Sequence, residues 1–139
     1  WFIKPKNDTL DDLLLRMKDA ASSLLVNVQH DFQSHIEENS RRITIDFKRN
    51  FFLAFKEILT NIVKHASASK VQIQVQQSDG ILETVISDNG RGFDSSLEGT
   101  VQRGNGIGSL RNRADNISGV CVITSQPGRG TTVKFSGKL

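Results

Sequence analysis

Asp88-Asn-Gly-Arg-Gly-Phe93 is the stretch on which the reading of this chain turns. A carboxylate ends an apolar run and glycines follow at once, which describes either a plain turn after a strand or a backbone bent around something flat. After a short polar stretch comes Gly104-Asn-Gly-Ile-Gly108, and upstream stands Glu57-Ile-Leu-Thr-Asn61. A carboxylate beside glycines, a second glycine cluster opening a helix, and a Glu/Asn pair one helical turn apart share one chemical theme. Together they predict a nucleotide pocket.

An aspartate entering a cavity must meet donors or remain costly to bury, and the exocyclic amine of adenine is such a donor. Gly90 and Gly92 would let the backbone turn and a base approach, and Phe93 would return an apolar side chain to the core. A long helix is expected from about Asp46 to His65, with Phe47, Phe51, Phe55, Ile58 and Ile62 as its apolar stripe. Glu57, Asn61 and Lys64 recur at spacings of four and seven from Glu57 and form a separate polar stripe. The Asn61 amide oxygen is a hard ligand suited to Mg²⁺, which takes few protein ligands together with phosphate oxygens and water. Lys64 would add a cation for phosphates and His65 a further donor, while Glu57 could orient or deprotonate a water or hydroxyl. Taken alone, the same stripe is an ordinary solvated helix face.

Gly104, Gly106 and Gly108 precede a helix expected at Ser109–Ile117, and such an approach exposes backbone N–H groups that favour phosphate. No strand leads into this cluster and no GxxxxGK[ST] is present, so neither a dinucleotide fold nor a Walker-type loop is supported. The polar stretch from Asp94 to Arg103 reads as a lid. Arg103, Arg111 and Arg113 are phosphate ligands or plain surface charges. Thr131 and Thr132 open a strand, either for β-propensity alone or to hydrogen-bond a base.

At 139 residues the chain suits one domain with its own core. Lys and Arg outnumber Asp and Glu by 18 to 15, an excess without the basic runs of a nucleic-acid binder, so no nucleic acid is expected as partner. Cys121 is alone, and His30, His35 and His65 do not stand with it at metal-ligand spacing. A cytoplasmic setting fits this cysteine usage. No apolar run approaches the roughly 20 residues that cross a bilayer, and the opening Trp1-Phe-Ile-Lys-Pro5 lacks a signal peptide's pattern, so no membrane contact is expected. The absence of an initiator Met suggests a piece of a longer protein, which leaves room for a membrane-anchored sensor upstream.

Elsewhere the periodicities are plain. Leu10, Leu13, Leu14, Met17, Ala21 and Leu24 predict a helix over 10–25 capped at Asp8 or Thr9. Val26–Phe32 alternates as a strand, with a loop from Gln33 to Arg42. Val71, Ile73 and Val75 alternate with glutamines before the turn Ser78-Asp-Gly80, which predicts a hairpin with Leu82–Ser87. Val120–Ser125 and Thr131–Ser136 flank Pro127-Gly-Arg-Gly130 as a second hairpin, and Ser118-Gly119 ends the short helix before it.

With these residues placed, nearly the whole chain resembles the ATP-binding catalytic domain of two-component sensor histidine kinases, within the GHKL superfamily shared by gyrase, heat-shock chaperones and MutL. Phe55-Lys-Glu57-Ile-Leu-Thr-Asn61-Ile-Val-Lys64-His65-Ala66 resembles the N box, Asp88–Phe93 the first glycine box, Gly104-Asn105-Gly106-Ile107 the second, and Gly128-Arg-Gly130-Thr131 the closing turn. Lys64-His65-Ala66, the short lid and Leu110-Arg-Asn-Arg113-Ala114 are most similar to the branch with nitrate-sensor, membrane-fluidity-sensor and autolysin-regulator kinases. The resemblance implies an α/β sandwich, a mixed and mostly antiparallel sheet covered on one face by helices. It implies Asn61 on Mg²⁺, Asp88 on adenine, Gly104 and Gly106 under the phosphates of ATP, and Thr131 near the base. Residues 1–9 would be the end of an upstream dimerisation and phosphotransfer helix with its linker, and 10–139 the catalytic domain. The partners implied are that upstream domain, in a homodimer, and a response regulator's receiver domain. The accepting histidine lies upstream in this family, and the base often sits beside it, so Glu57 is the candidate catalytic residue only within this chain. A serine kinase of the anti-sigma type and a non-catalytic nucleotide-binding module on the same scaffold are the alternatives.

Overall fold

The computed structural model describes residues 8–38, 41–93 and 106–139. Its first helix, α1 (Leu10–Leu24), starts where the Thr9 hydroxyl accepts the Asp12 N–H at 3.3 Å, with Asp11 and Asp12 in the first turn against the positive end of the helix dipole. Leu10, Leu13, Leu14, Met17 and Ala21 bury the expected face. The second helix, α2 (Ile45–Asn61), is capped by Thr44, whose hydroxyl accepts the Phe47 N–H at 3.0 Å. It runs on as a π-helical turn, Ile62–Ala66, and stops where Ser67 takes the left-handed conformation. The expected helix to His65 is therefore α-helical only to Asn61. Because the π turn is wider than an α turn, Lys64 no longer follows the stripe of Glu57 and Asn61.

Five strands form one sheet: β1 (Gln29–Ile36), β2 (Lys70–Ser78), β3 (Ile81–Asp88), β4 (Cys121–Ser125) and β5 (Thr131–Lys138), in the order β1-β2-β3-β5-β4. β1 is parallel to β2, and the other neighbours are antiparallel. The fold is the expected mixed sheet. Asp79 and Gly80, with φ of 52° and 76°, make the two-residue turn between β2 and β3 that an Asp-Gly pair suits. The third helix, α3 (Gly106–Asn116), ends at Ser118 in the left-handed region, and Gly119 N–H reaches back to Ala114 O at 2.8 Å.

The strand expected at Val26–Phe32 lies later, at Gln29–Ile36, and takes in part of the expected loop. Val26 is 74% exposed in the turn after α1, and pairing with β2 rather than any alternation of its own sets the register of β1.

One face of the sheet packs on the helices. Phe51 meets Phe135 edge-on at 5.3 Å between ring centres, and Phe55 meets Phe32 at 6.3 Å. Val71, Ile73 and Val75 of β2 point the same way, while Lys70, Gln72, Gln74 and Gln76 face out. On β3 the inward row is Leu82, Thr84, Ile86 and then Asp88, so register carries a carboxylate into the end of the apolar layer. Among the described residues no helix is long and apolar enough to cross a membrane.

Candidate functional site

Asp88 is 9% exposed. One carboxylate oxygen accepts the Gly90 N–H at 2.8 Å. Burial pushes the carboxyl's pKa above its ordinary value, and hydrogen bonds from the backbone N–H groups of Gly90 and Thr131 pull it back only in part. Thr131 is the residue opposite Asp88 across the β3–β5 pair.

Three turns lock together around this carboxylate. The first follows α2: Arg91 N–H donates to Ala66 O at 2.8 Å, and Arg91 Nε donates to His65 O at 2.7 Å. The Asn89 amide oxygen takes the N–H groups of Ser69 and Lys70 at 2.9 and 3.0 Å. The third turn joins β4 to β5, where Gly128 N–H donates to Arg91 O at 2.7 Å. The Ser125 hydroxyl accepts the Phe93 N–H at 2.8 Å, donates to Gly130 O at 3.1 Å and lies 2.8 Å from Thr131 Oγ1. Glycine is required at three of these crossings: a Cβ at Gly90 would collide with the Ala66 carbonyl, one at Gly92, where φ is 63°, with the Gln126 carbonyl, and one at Gly130, where φ is 76°, with the Asp88 carbonyl.

The sequence-predicted residues divide accordingly. Asp88, Gly90, Gly92 and Thr131 meet at one end of the sheet, and the π turn that follows Asn61 is bound to them through Ala66. The bareness of Gly90 is used by the Ala66 backbone. Phe93 is half-buried and lies outside the core cluster. Asn61 is half-buried as the last residue of α2, and Lys64 and His65 are exposed on the π turn. Glu57, half-buried, accepts the Ser109 hydroxyl at 3.2 Å, tying α2 to α3. Gly106 opens α3 and Ile107 follows it, while Gly104, Asn105, Arg103 and the expected lid lie outside the described residues. Arg111 is exposed, and Arg113 Nε is buried without a hydrogen-bond partner among the described residues. A cavity of about 350 Å³ is lined by Gly108, Ser109, Asn112, Arg113 and Asn116, all on α3, and neither Asp88 nor Asn61 contributes to its wall.

Sequence reasoning missed Asn89, Arg91 and Ser125. Asn89 had a readable signal, since an asparagine just after a strand commonly bonds nearby backbone. Ser125 had none, because its partners lie in two separate segments, at Phe93 and at Gly130–Thr131.

One end of the sheet thus gathers a buried carboxylate and interlocked glycine turns. The chain belongs to the histidine kinase-, DNA gyrase B- and HSP90-like ATPase family, whose model matches residues 46–139. More particularly, it carries a histidine kinase-type ATPase domain. It is 34% identical over 87 residues to the signal transduction histidine-protein kinase/phosphatase DegS of Brevibacillus brevis, covering 61% of this chain and 22% of that protein. It is 25% identical over 138 residues to the sensor protein VraS of Staphylococcus aureus, covering 98% of this chain and 36% of that protein. The histidine kinase domain of the blue-light activated histidine kinase of Erythrobacter litoralis EL346 shares the fold, with a TM-score of 0.72 at 20% identity over 98% of this chain and 64% of that one. The chain thus spans about a third or less of the length of these two curated relatives.

Proposed function

We propose that residues 10–139 bind Mg²⁺-ATP and that, in the full-length protein, the γ-phosphoryl group passes to a histidine of an upstream dimerisation domain and on to a response regulator's receiver domain. The observation that carries this reading is Asp88, a carboxylate held in the apolar layer with backbone N–H groups as its hydrogen-bond donors and its pKa pushed up by burial. An arrangement that keeps such a charge at a cost suits a ligand donor, and the adenine amine is one. Gly90, Gly92, Phe93 and Thr131 would shape the base end.

The triphosphate would run from there toward α2 and the start of α3. Asn61 fits Mg²⁺ as one amide-oxygen ligand completed by phosphate oxygens and water. When bound, the ion would neutralise charge developing on the phosphoryl group. Lys64, His65 and the stretch Gly104, Asn105, Gly106 and Ile107 would contact the phosphates. Glu57 is the candidate base, and its Ser109 bond would orient it. Residues 1–9 would join the upstream helices, with the fragment in the cytoplasm.

Calorimetric titration of Mg²⁺-ATP tests the first half: the parent should bind, and Asp88→Asn should bind about tenfold or more weakly. For the second half, the chain extended upstream is incubated with labelled ATP. Acid-labile, base-stable label on histidine supports phosphotransfer. Acid-stable label on an added serine substrate would favour the serine-kinase alternative, and binding without any transfer the non-catalytic one.

A further inference from the structure

The last carbonyls of a helix find no N–H within it. The π turn that continues α2 ends in two such groups, on His65 and Ala66, and one residue meets both. The Arg91 backbone N–H donates to Ala66 O at 2.8 Å, and the Arg91 Nε donates to His65 O at 2.7 Å. A guanidinium there also faces the negative end of the helix dipole. Gly90 brings the two backbones together where no Cβ would fit. The turn itself is an uncommon geometry, and at its start the Ile62 N–H is shared between Ile58 O and Leu59 O. Asn61 is the residue from which it departs.

We infer that Arg91 is a positioning residue whose Nε bond to His65 O fixes the π turn against the Asp88 loop, so that the metal end of the nucleotide site is held in register with its base end. The inference rests on the ATP reading above and adds a role for a side chain that the sequence left unassigned. The backbone bond from Arg91 to Ala66 survives any substitution except proline, so side-chain variants probe the Nε contact alone. Glutamine is the informative replacement. Its Nε2 sits the same number of bonds from the backbone as the arginine Nε and keeps the donor without the charge. Methionine matches the length and keeps neither.

ATP is titrated with and without Mg²⁺ into the parent protein, Arg91→Gln and Arg91→Met, and the quantity compared is the gain in affinity that Mg²⁺ confers. The expected result is that Arg91→Met loses about five- to tenfold of that gain, the effect of one charge-assisted hydrogen bond, with metal-free ATP affinity nearly unchanged. Arg91→Gln should stay within about twofold of the parent, as a neutral amide retains most of a hydrogen bond's worth. In hydrogen exchange without ligand, residues 62–66 should open faster in Arg91→Met and not in Arg91→Gln. An unchanged Mg²⁺ gain in Arg91→Met overturns the inference and leaves the ATP reading standing. Equal losses in both variants overturn it as well, because they would mark a charge acting directly on phosphate. A parent protein that binds no ATP sinks the ATP reading and this inference with it.

Discussion

Lys48 and Asp88 are both charged side chains taken into the interior, and their surroundings differ in kind. Lys48 is fully buried, and its ammonium lies 2.6 Å from an Asp12 oxygen and 3.8 Å from Asp8. Arg16 adds a second cation to Asp12 at 3.2 Å. That group of charges joins the start of α1 to α2 and brings its own counter-charges, although the buried Asp8 Oδ1 has no hydrogen-bond partner among the described residues. Asp88 makes no ion pair among the described residues and leans on backbone N–H groups alone. A buried charge whose counter-charge is built in holds the fold together. One without a counter-charge weakens the fold slightly, which fits the ligand role proposed for Asp88.

The contrast is sharpest if each charge is removed. Lys48→Met should leave the buried Asp8 without its cation and Asp12 with Arg16 alone, and lower stability by about 3 kcal/mol in urea unfolding. Asp8→Asn and Asp12→Asn added to it should recover most of the loss. Asp88→Asn should instead leave the fold intact and weaken ATP binding by about 1.5–3 kcal/mol, the range for a hydrogen bond to a charged group, measured by calorimetry. If Lys48→Met impaired ATP binding while Asp88→Asn unfolded the protein, the division of roles would be reversed.

Ser125→Ala tests whether the base end is held by its own polar network. That change strips a partner from Phe93 N–H, Gly130 O and Thr131 Oγ1 and should cost about 1–2 kcal/mol of stability in thermal or urea melts. The smallest expected effect has the opposite sign. Because burial raises the Asp88 pKa in the folded state, the native protein binds a proton more readily than the unfolded chain there. The associated stability is complete below the unfolded value of about 3.9 and is lost as pH rises through the folded value. At neutral pH, Asp88→Asn should therefore be more stable than the parent without ligand, by about 0.5–1 kcal/mol. The acid part of its stability profile should also be flatter. Melting curves from pH 3 to 8 check both.

Much of the fold was legible because its signals are local. The Phe47–Ile62 stripe, the Asp79-Gly80 turn and the alternation of β2 each sit within one window of sequence, and each appears where the pattern put it. β1 was not legible in this way. It is an edge strand whose inward residues include His30 and Phe32, and its parallel register depends on a segment 41 residues away, as Gln29 pairs with Lys70. At the candidate site, Asp88 could be picked out because it interrupts an apolar row. The reason for Gly90 could not, since the atom it makes way for belongs to Ala66. The Lys48 group left one faint trace, a lysine three residues before Phe51 and seven before Phe55, on the stripe that faces the core.

The sheet order has a consequence for how this domain comes into being. β5 lies inside the sheet between β3 and β4, and among the described residues β4 pairs with no other strand. During synthesis, α1, α2 and the β1–β2–β3 portion can collapse first, but β3 keeps an open edge until residues up to Lys138 have left the ribosome. A polypeptide lacking Thr131–Lys138 would lose an interior strand of its sheet and present the β3 edge to other nascent chains.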